Sequence, residues 1–434
     1  MRELKKLNNS MKAHLIGIGG IGVSAIARML LLGGYEVTGS DVATSLVTKE
    51  LQKLGVRIYI GHNIRNLPTG VELVVYTPAI AKDNVELLEA KRSGIAIRSY
   101  PEMLGKISAD KYTIAVAGSH GKTTTTAMLG AILSGAGKAP TIIVGSLLKD
   151  KKSNFVGGSS KYLVVEACEY KRSFLNINPK IAVITNIDND HLDYYGDIKG
   201  VISGFSDFVK KIPKDGYLVC DPKASHLKAV IRQAKCGVID YTKAPHNFKL
   251  KILGDYNIKN AQAAWAAAKL LSVPVVKAKK ALESYGGTWR RFEYKGRTAN
   301  GIKIYDDYAH HPMEIKTALK SARKLFGKKR IICVFQPHLF SRTKLLLKDF
   351  GKSFGDADVV VVSDVYAARE KEDVAVNSDQ LAETIKKYHK DALYSGDNRH
   401  TLTLLKKTAR KGDVVLTMGA GDIYLVGEEL VKTT

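Results

Sequence analysis

At 434 residues the chain is too long for one small core and calls for two to four domains of ordinary size. Its 45% hydrophobic and 25% charged residues, with no long apolar run, exclude a disordered chain and a membrane-inserted one. Lys and Arg number 67 against 42 Asp and Glu, a formal charge of +25. That balance favours polyanions, whether nucleic acid, acidic membrane or phosphorylated metabolite, but residues such as Lys149, Lys151, Lys277 and Lys280 are scattered instead of forming one arm.

Arg2, Lys5, Lys6 and Lys12 precede an apolar stretch in the manner of a signal peptide, but the glycines of GIGGIGVS argue for a strand, a turn and a helix. That β-turn-α pattern recurs to about residue 108 and predicts a first domain over 1–108 built on one open parallel sheet. A second α/β series opens with YTIAVAGSHGKTTTTAMLGAIL, continues through KYLVVEA and KIAVITN, and closes with an Ala-rich helix over 257–271 and a Gly pair, predicting a domain over 109–288. The third, 289–434, reads GIKIYDDYA, a helix from Pro312, RIICVFQP, DADVVVVSDVY and DVVLTMGAGDIY. Cysteines 168, 220, 236 and 333 are too few and scattered for a disulfide framework or a CxxC metal site, which suits a reducing cytoplasm.

The unusual residues fall at strand ends, where open α/β sheets bind ligands. GSHGKTT (118–124) lies between an apolar strand and a helix, so backbone N–H groups can cradle phosphate, Lys122 can neutralise it and Thr123 offers a hydroxyl to Mg²⁺. Val116 stands where a full GxxxxGK[ST] loop begins, so the loop is a shortened one. GIGGIG (17–22) with Asp41 further on fits a dinucleotide or a UDP-sugar equally, since each asks for an anion at a helix N-terminus and an acid near a ribose. Glu166 and Glu169 follow one buried strand, and Asp190 and His191 follow another. Thr123 and Glu166 are natural Mg²⁺ ligands, His191 a less usual one. DDYAHHP (306–312) and FQPHLFSRT add Asp306, His310, His311, His338 and Arg342. Zinc is conceivable there, but HExxH and Cys spacings are lacking.

These segments in this order, with NIDNDHLD, RRFE, VYAARE and GAGDI, resemble the Mur ligase family over almost the whole chain. EACEY followed by SF, with DDYAHHP, looks like its L-alanine-adding branch. The resemblance implies an α/β protein of three domains: a Rossmann-like N-terminal domain for UDP-N-acetylmuramate, a central P-loop-type ATPase domain for ATP and Mg²⁺, and a Rossmann-like C-terminal domain for the amino acid that closes over the nucleotide. The implied activity joins L-alanine to the lactoyl carboxylate through an acyl phosphate, in peptidoglycan precursor synthesis. Carried over by motif, Gly19, Gly20, Gly22 and Ser24 hold the diphosphate, Asp41 and His62 the uridine end. Gly118, Ser119, His120, Gly121, Lys122, Thr123 and Thr124 form the ATP loop, Asn257 and Asn260 lie by adenine, and Arg291 and Asp306 reach ATP phosphate and ribose. Thr123, Glu166 and His191 match metal positions, with Glu169 beside the substrate. His310, His311, His338 and Arg342 lie at the closing face. Lys122, His191, Arg291, His338 and Arg342 are the expected catalytic set, with His191 and His338 as general-base candidates.

The sequence departs from the family pattern at Ser119 for the commoner Thr, at Tyr256 for a His in GxHNxxN, and at Leu339 for an Arg after QPH. The expected partners are UDP-N-acetylmuramate and L-alanine, with no obligate nucleic acid and no membrane insertion, in a cytoplasmic monomer or homodimer. A related ligase with another amino acid or UDP-sugar acceptor is the enzymatic alternative, and a nucleotide-gated polyanion-binding protein the other.

Overall fold

The computed structural model describes residues 11–252, 254–368, 370 and 376–433. The basic stretch before residue 11 and Arg369 of VYAARE lie outside them. Among the described residues the strands form three sheets.

The first contains β1 Lys12–Ile16, β2 Glu36–Asp41, β3 Arg57–Ile60, β4 Val71–Tyr76 and β5 Ala96–Ser99, all parallel, in the order 3-2-1-4-5. The chain order reverses at β1, and the glycine loop leaves its carboxyl end, so the loop opens at the sheet's switch point. The second contains β6 Tyr112–Ala117, β7 Thr141–Leu148, β8 Ser153–Val156, β9 Tyr162–Glu166, β10 Ile181–Ile184, β11 Tyr217–Cys220 and β12 Gly237–Asp240, ordered 12-11-10-6-9-7-8. Here the GSHGKT loop leaves β6, which lies between β10 and β9.

The third sheet contains β13 Glu293–Arg297, β14 Lys303–Asp307, β15 Ile331–Phe335, β16 Val359–Ser363, β17 Ala392–Gly396 and β18 Val414–Met418, ordered 13-14-18-15-16-17. Two pairs break the parallel pattern. β7 and β8 form an antiparallel hairpin, because the four residues 149–152 cannot make a parallel crossover. β13 runs antiparallel along β14, with a bulge between Tyr294 and Gly296.

The chain divides into two compact units, Met1–Lys251 with Tyr256–Gly286, and Ile252–Asp255 with Gly287–Thr434. The first and second sheets therefore belong to one body. One apolar core runs through both, joining Val23, Ile26 and Leu30 of the first to Ile143 and Phe155 of the second. The wholly buried Asn154 of β8 seals the seam, its amide donating to Ile21 O and to Ser24 Oγ, the latter at 3.1 Å. The second unit has separate cores on the two faces of its sheet.

Candidate active site

The shortened phosphate loop is braced on β10. Gly118 sits at φ +131°, and a Cβ there would lie 2.0 Å from Thr185 Oγ1, so only glycine fits. His120 is held at both backbone groups, N–H to Asn186 Oδ1 at 2.9 Å and carbonyl from Thr185 Oγ1 at 2.5 Å. Ser119 Oγ accepts from Asp188 N–H at 2.9 Å, a contact that a threonine hydroxyl would also make. Gly121, at φ +82°, opens the helix Lys122–Gly135 and lies against Asn260, whose Oδ1 would be 2.4 Å from an added Cβ. Asn260 in turn donates to Asn257 Oδ1 at 3.1 Å, so the expected adenine-side pair lies beside this loop on the helix Asp255–Leu270. Tyr256 precedes that pair on the same helix.

Lys122 folds back over the loop, donating to Gly118 O at 2.6 Å, Ser119 O at 3.0 Å and Glu169 Oε1 at 2.8 Å. Burial works against its charge, but the carboxylates of Glu169 and Asp190 overcome that and raise its pKa above the usual lysine value. Glu169 is 1% exposed, and its Oε2 is buried with no hydrogen-bond partner among the described residues. His191 Nε2 lies 3.8 Å from both Glu169 Oε1 and Asp190 Oδ2. These three residues offer ligand atoms within 4.8 Å of one another. Glu166 lies outside that group: its carboxylate accepts from Thr123 Oγ1 at 3.0 Å and from Gly145 N–H of β7 at 2.7 Å. The expected trio Thr123, Glu166 and His191 thus divides into a Thr123–Glu166 pair and a Glu169–Asp190–His191 cluster, because β7 holds the Glu166 side chain.

In the first sheet, Gly17 and Ile18 donate to Ser40 O, and Gly19 N–H donates to Asp41 Oδ2 at 2.8 Å. Asp41 therefore braces the glycine loop with one oxygen, a role not foreseen for it. Gly20 caps the helix Ile21–Leu32, and Gly22 faces the ring of Tyr100, 2.6 Å from where its Cβ would lie. Ser24 is wholly buried, its hydroxyl bonded to Ile21 O at 2.9 Å, so it serves the helix and the Asn154 seam. His62 lies just beyond β3, its Nδ1 3.1 Å from Ser40 Oγ. Sequence reasoning missed Glu86 and His14, which are buried behind His62. Glu86 follows an Asn N-cap like many helical acids, so no local signal marks it.

In the second unit, Asp306, expected at the ATP ribose, lies buried in β14. It is 0% exposed, with Oδ2 bonded to Arg290 Nε at 2.8 Å and Oδ1 to Thr417 Oγ1 at 2.7 Å. Arg290 itself is 1% exposed and donates to Gly419 O and Gly421 O, so the pair locks strand ends together. Burial raises the Asp306 pKa despite Arg290, and pushes Asp307 up to about 6 despite the Arg291 charge. Asp307 accepts from Phe292 N–H and Ala309 N–H, holding the Arg290–Arg291 turn against DDYAHHP. His310 and His338 meet with ring centroids 5.8 Å apart, Arg342 lies 3.3 Å from His338 Nδ1, and Tyr366 stacks on His338. His311 caps the helix Pro312–Phe326 through its ring nitrogen, which is a structural use of that side chain. Leu339 sits at φ +71° and donates to Tyr366 O at 3.0 Å.

Comparison with known proteins agrees with this layout. Residues 12–112 match the Mur ligase family catalytic domain, 116–247 the Mur ligase middle domain and 290–421 the Mur ligase glutamate ligase domain. The UDP-N-acetylmuramate–L-alanine ligase of Acetivibrio thermocellus is 41% identical, covering 98% of this chain and 96% of that protein. The protein of the same name from Caldicellulosiruptor saccharolyticus is 44% identical, over 95% and 96%. Among solved structures, UDP-N-acetylmuramate-alanine ligase MurC of Thermotoga maritima superposes with a TM-score of 0.82 at 28% identity, covering 97% of this chain and 98% of that one. A glycine loop at one switch point, a phosphate loop at another and matches across all three segments lead to one assignment: the chain belongs to the Mur ligase family.

Proposed function

We propose that the protein joins L-alanine to the lactoyl carboxylate of UDP-N-acetylmuramate at the expense of ATP, giving ADP and phosphate, in peptidoglycan precursor synthesis. The observation that carries this reading is Lys122, held by Glu169 within a braced phosphate loop, in a chain alike to ligases of that name over nearly its full length. An unactivated carboxylate is a poor electrophile, so amide formation needs an activated acyl group. The lactoyl carboxylate attacks the γ-phosphoryl group and expels ADP. The neutral amine of L-alanine then attacks the acyl phosphate, and phosphate leaves.

Lys122 neutralises charge on the transferring phosphoryl group when it leaves the loop carbonyls, and the backbone N–H groups of the loop hold the remaining phosphates. Asn257 and Asn260 serve the adenine side, Gly19, Gly20 and Gly22 the diphosphate, and Asp41 and His62 the uridine end. In the second unit Arg291 is our candidate for phosphate charge, and His310, His338 and Arg342 for carboxylate and amine recognition. His191 and His338 are the candidates for taking the ammonium proton. A buried Glu169 oxygen without a partner among the described residues, with Asp190 and His191 beside it and Thr123 next to Glu166, is a donor set suited to Mg²⁺. Bound there, Mg²⁺ would supply charge neutralisation at the phosphates.

Among the described residues no helix is long and apolar enough to cross a membrane. We place the protein in the cytoplasm as a monomer or homodimer. The test is phosphate release from Mg-ATP with UDP-N-acetylmuramate and each amino acid in turn, with the product identified by mass. Release with L-alanine and a matching product mass supports the reading, and preference for another amino acid replaces it with a different Mur-type ligase.

A further inference from the structure

Behind His62, the carboxylate of Glu86 gathers donors from three strand ends. Its Oε1 accepts from Asn63 N–H at 3.1 Å and Asn66 Nδ2 at 2.6 Å. Its Oε2 accepts from Ser40 Oγ at 2.5 Å and lies 3.4 Å from both His14 Nε2 and His62 Nδ1. Burial opposes the charge, but the bonds from His14, Ser40, Asn66 and Asn63 hold this carboxyl down at about 2. Glu86 is therefore ionised at neutral pH and can only accept.

Ser40 has a single hydroxyl proton, and it goes to Glu86. Ser40 Oγ is then an acceptor toward His62 Nδ1, 3.1 Å away. A lone pair on Nδ1 would face both that oxygen and the carboxylate, so Nδ1 carries a proton. The other ring nitrogen, Nε2, is buried without a partner among the described residues, although the side chain retains 16% exposure and so reaches the surface. The neutral ring has one N–H, and with that proton on Nδ1 the lone pair is on Nε2. The same Ser40 braces the glycine loop through its carbonyl, which ties this ring to the diphosphate cradle.

We propose that Glu86, acting through Ser40, is a positioning residue that fixes His62 in the Nδ1–H tautomer, so that Nε2 accepts a hydrogen bond from a base bearing a ring N–H. Uracil carries such an imide N–H, whereas the corresponding nitrogen of cytosine has only a lone pair, so the relay selects uridine over cytidine nucleotides. This rests on the sugar-nucleotide reading of the first sheet.

The test uses the purified full chain and two readouts. Calorimetric titration with UDP and with CDP should give wild type about tenfold or greater preference for UDP, roughly the value of one buried hydrogen bond. Ser40→Ala should reduce that preference to about twofold while ATP binding is retained, and Glu86→Gln, whose amide can donate as well as accept, should weaken it in part. Long-range ¹⁵N spectra, with His62 assigned by its loss in His62→Gln, should show the proton on Nδ1 in wild type and a mixture of tautomers in Ser40→Ala. A wild-type His62 protonated on Nε2 or on both nitrogens overturns the relay, as does an unchanged UDP-to-CDP ratio in Ser40→Ala. Wild type that binds no UDP overturns the sugar-nucleotide reading and the relay with it.

Discussion

Replacing Lys122 with Met removes the cation from a carboxylate that is 1% exposed and has one oxygen without a partner among the described residues. Breaking one side of a buried ion pair costs about 3–5 kcal/mol, because the remaining charge is left uncompensated. Lys122 is itself 14% exposed, so the lower end of that range applies. In the variant the uncompensated buried charge is relieved only by protonation, so the folded variant holds a proton that the unfolded chain has released. Its stability relative to wild type should therefore fall as pH rises, by up to about 1.4 kcal/mol per unit. Urea unfolding at pH 5.5 and pH 8.0 should show the larger deficit at pH 8.0, and Lys122→Met with Glu169→Gln should recover most of it. ADP release should be lost in both variants. A deficit equal at both pH values, or one that the second substitution fails to relieve, refutes the buried-pair argument, and retained ADP release refutes the phosphoryl role.

Asp307, with its carboxyl at about 6, makes the folded chain bind an extra proton between about pH 4 and 6, so its contribution to stability declines as pH rises through that window. Asp307→Asn should remove about one proton from the pH dependence of unfolding there, and an unaltered slope contradicts the burial assigned to it. Gly22→Ala places a methyl 2.6 Å from the Tyr100 ring and should cost about 1–3 kcal/mol of local packing, seen as a raised KM for the UDP-sugar and relieved by Tyr100→Leu. Asp190→Asn should raise the Mg²⁺ concentration needed for half-maximal ADP release, and an unchanged requirement argues against the Glu169–Asp190–His191 cluster as a cation site. Tyr256→His should alter ATP affinity more than UDP-sugar affinity, and equal effects, measured by titration, count against an adenine-side position.

The two anion loops were legible in the sequence because their signal is local: glycines, a lysine and a hydroxyl within a few residues, between an apolar run and a helical one. The α/β alternation was legible for the same reason. The β7–β8 hairpin was not recognised, although its short basic connection permits little else. Glu86, His14, Ser40 and His62 are spread over more than seventy residues and meet only when three parallel strands and one helix come together, so no spacing announces them. The Arg290–Asp306 pair was likewise not foreseen. A carboxylate at a strand end reads as ligand-facing, but here its neighbours Arg290 and Thr417 enclose it. Nor does any local pattern announce Asn154, whose amide stitches β8 to the first helix.

That seam bears on inhibitor chemistry. The GIGGIG and GSHGKT loops are anchored in a single packed body, with Tyr100 contacting Gly22 on one side and sensing the charge of Glu166 on the other. Both phosphate cradles therefore lie in the same packed unit. A bisubstrate compound bridging both loops is best joined by a stiff spacer, which costs less ordering entropy than a floppy tether.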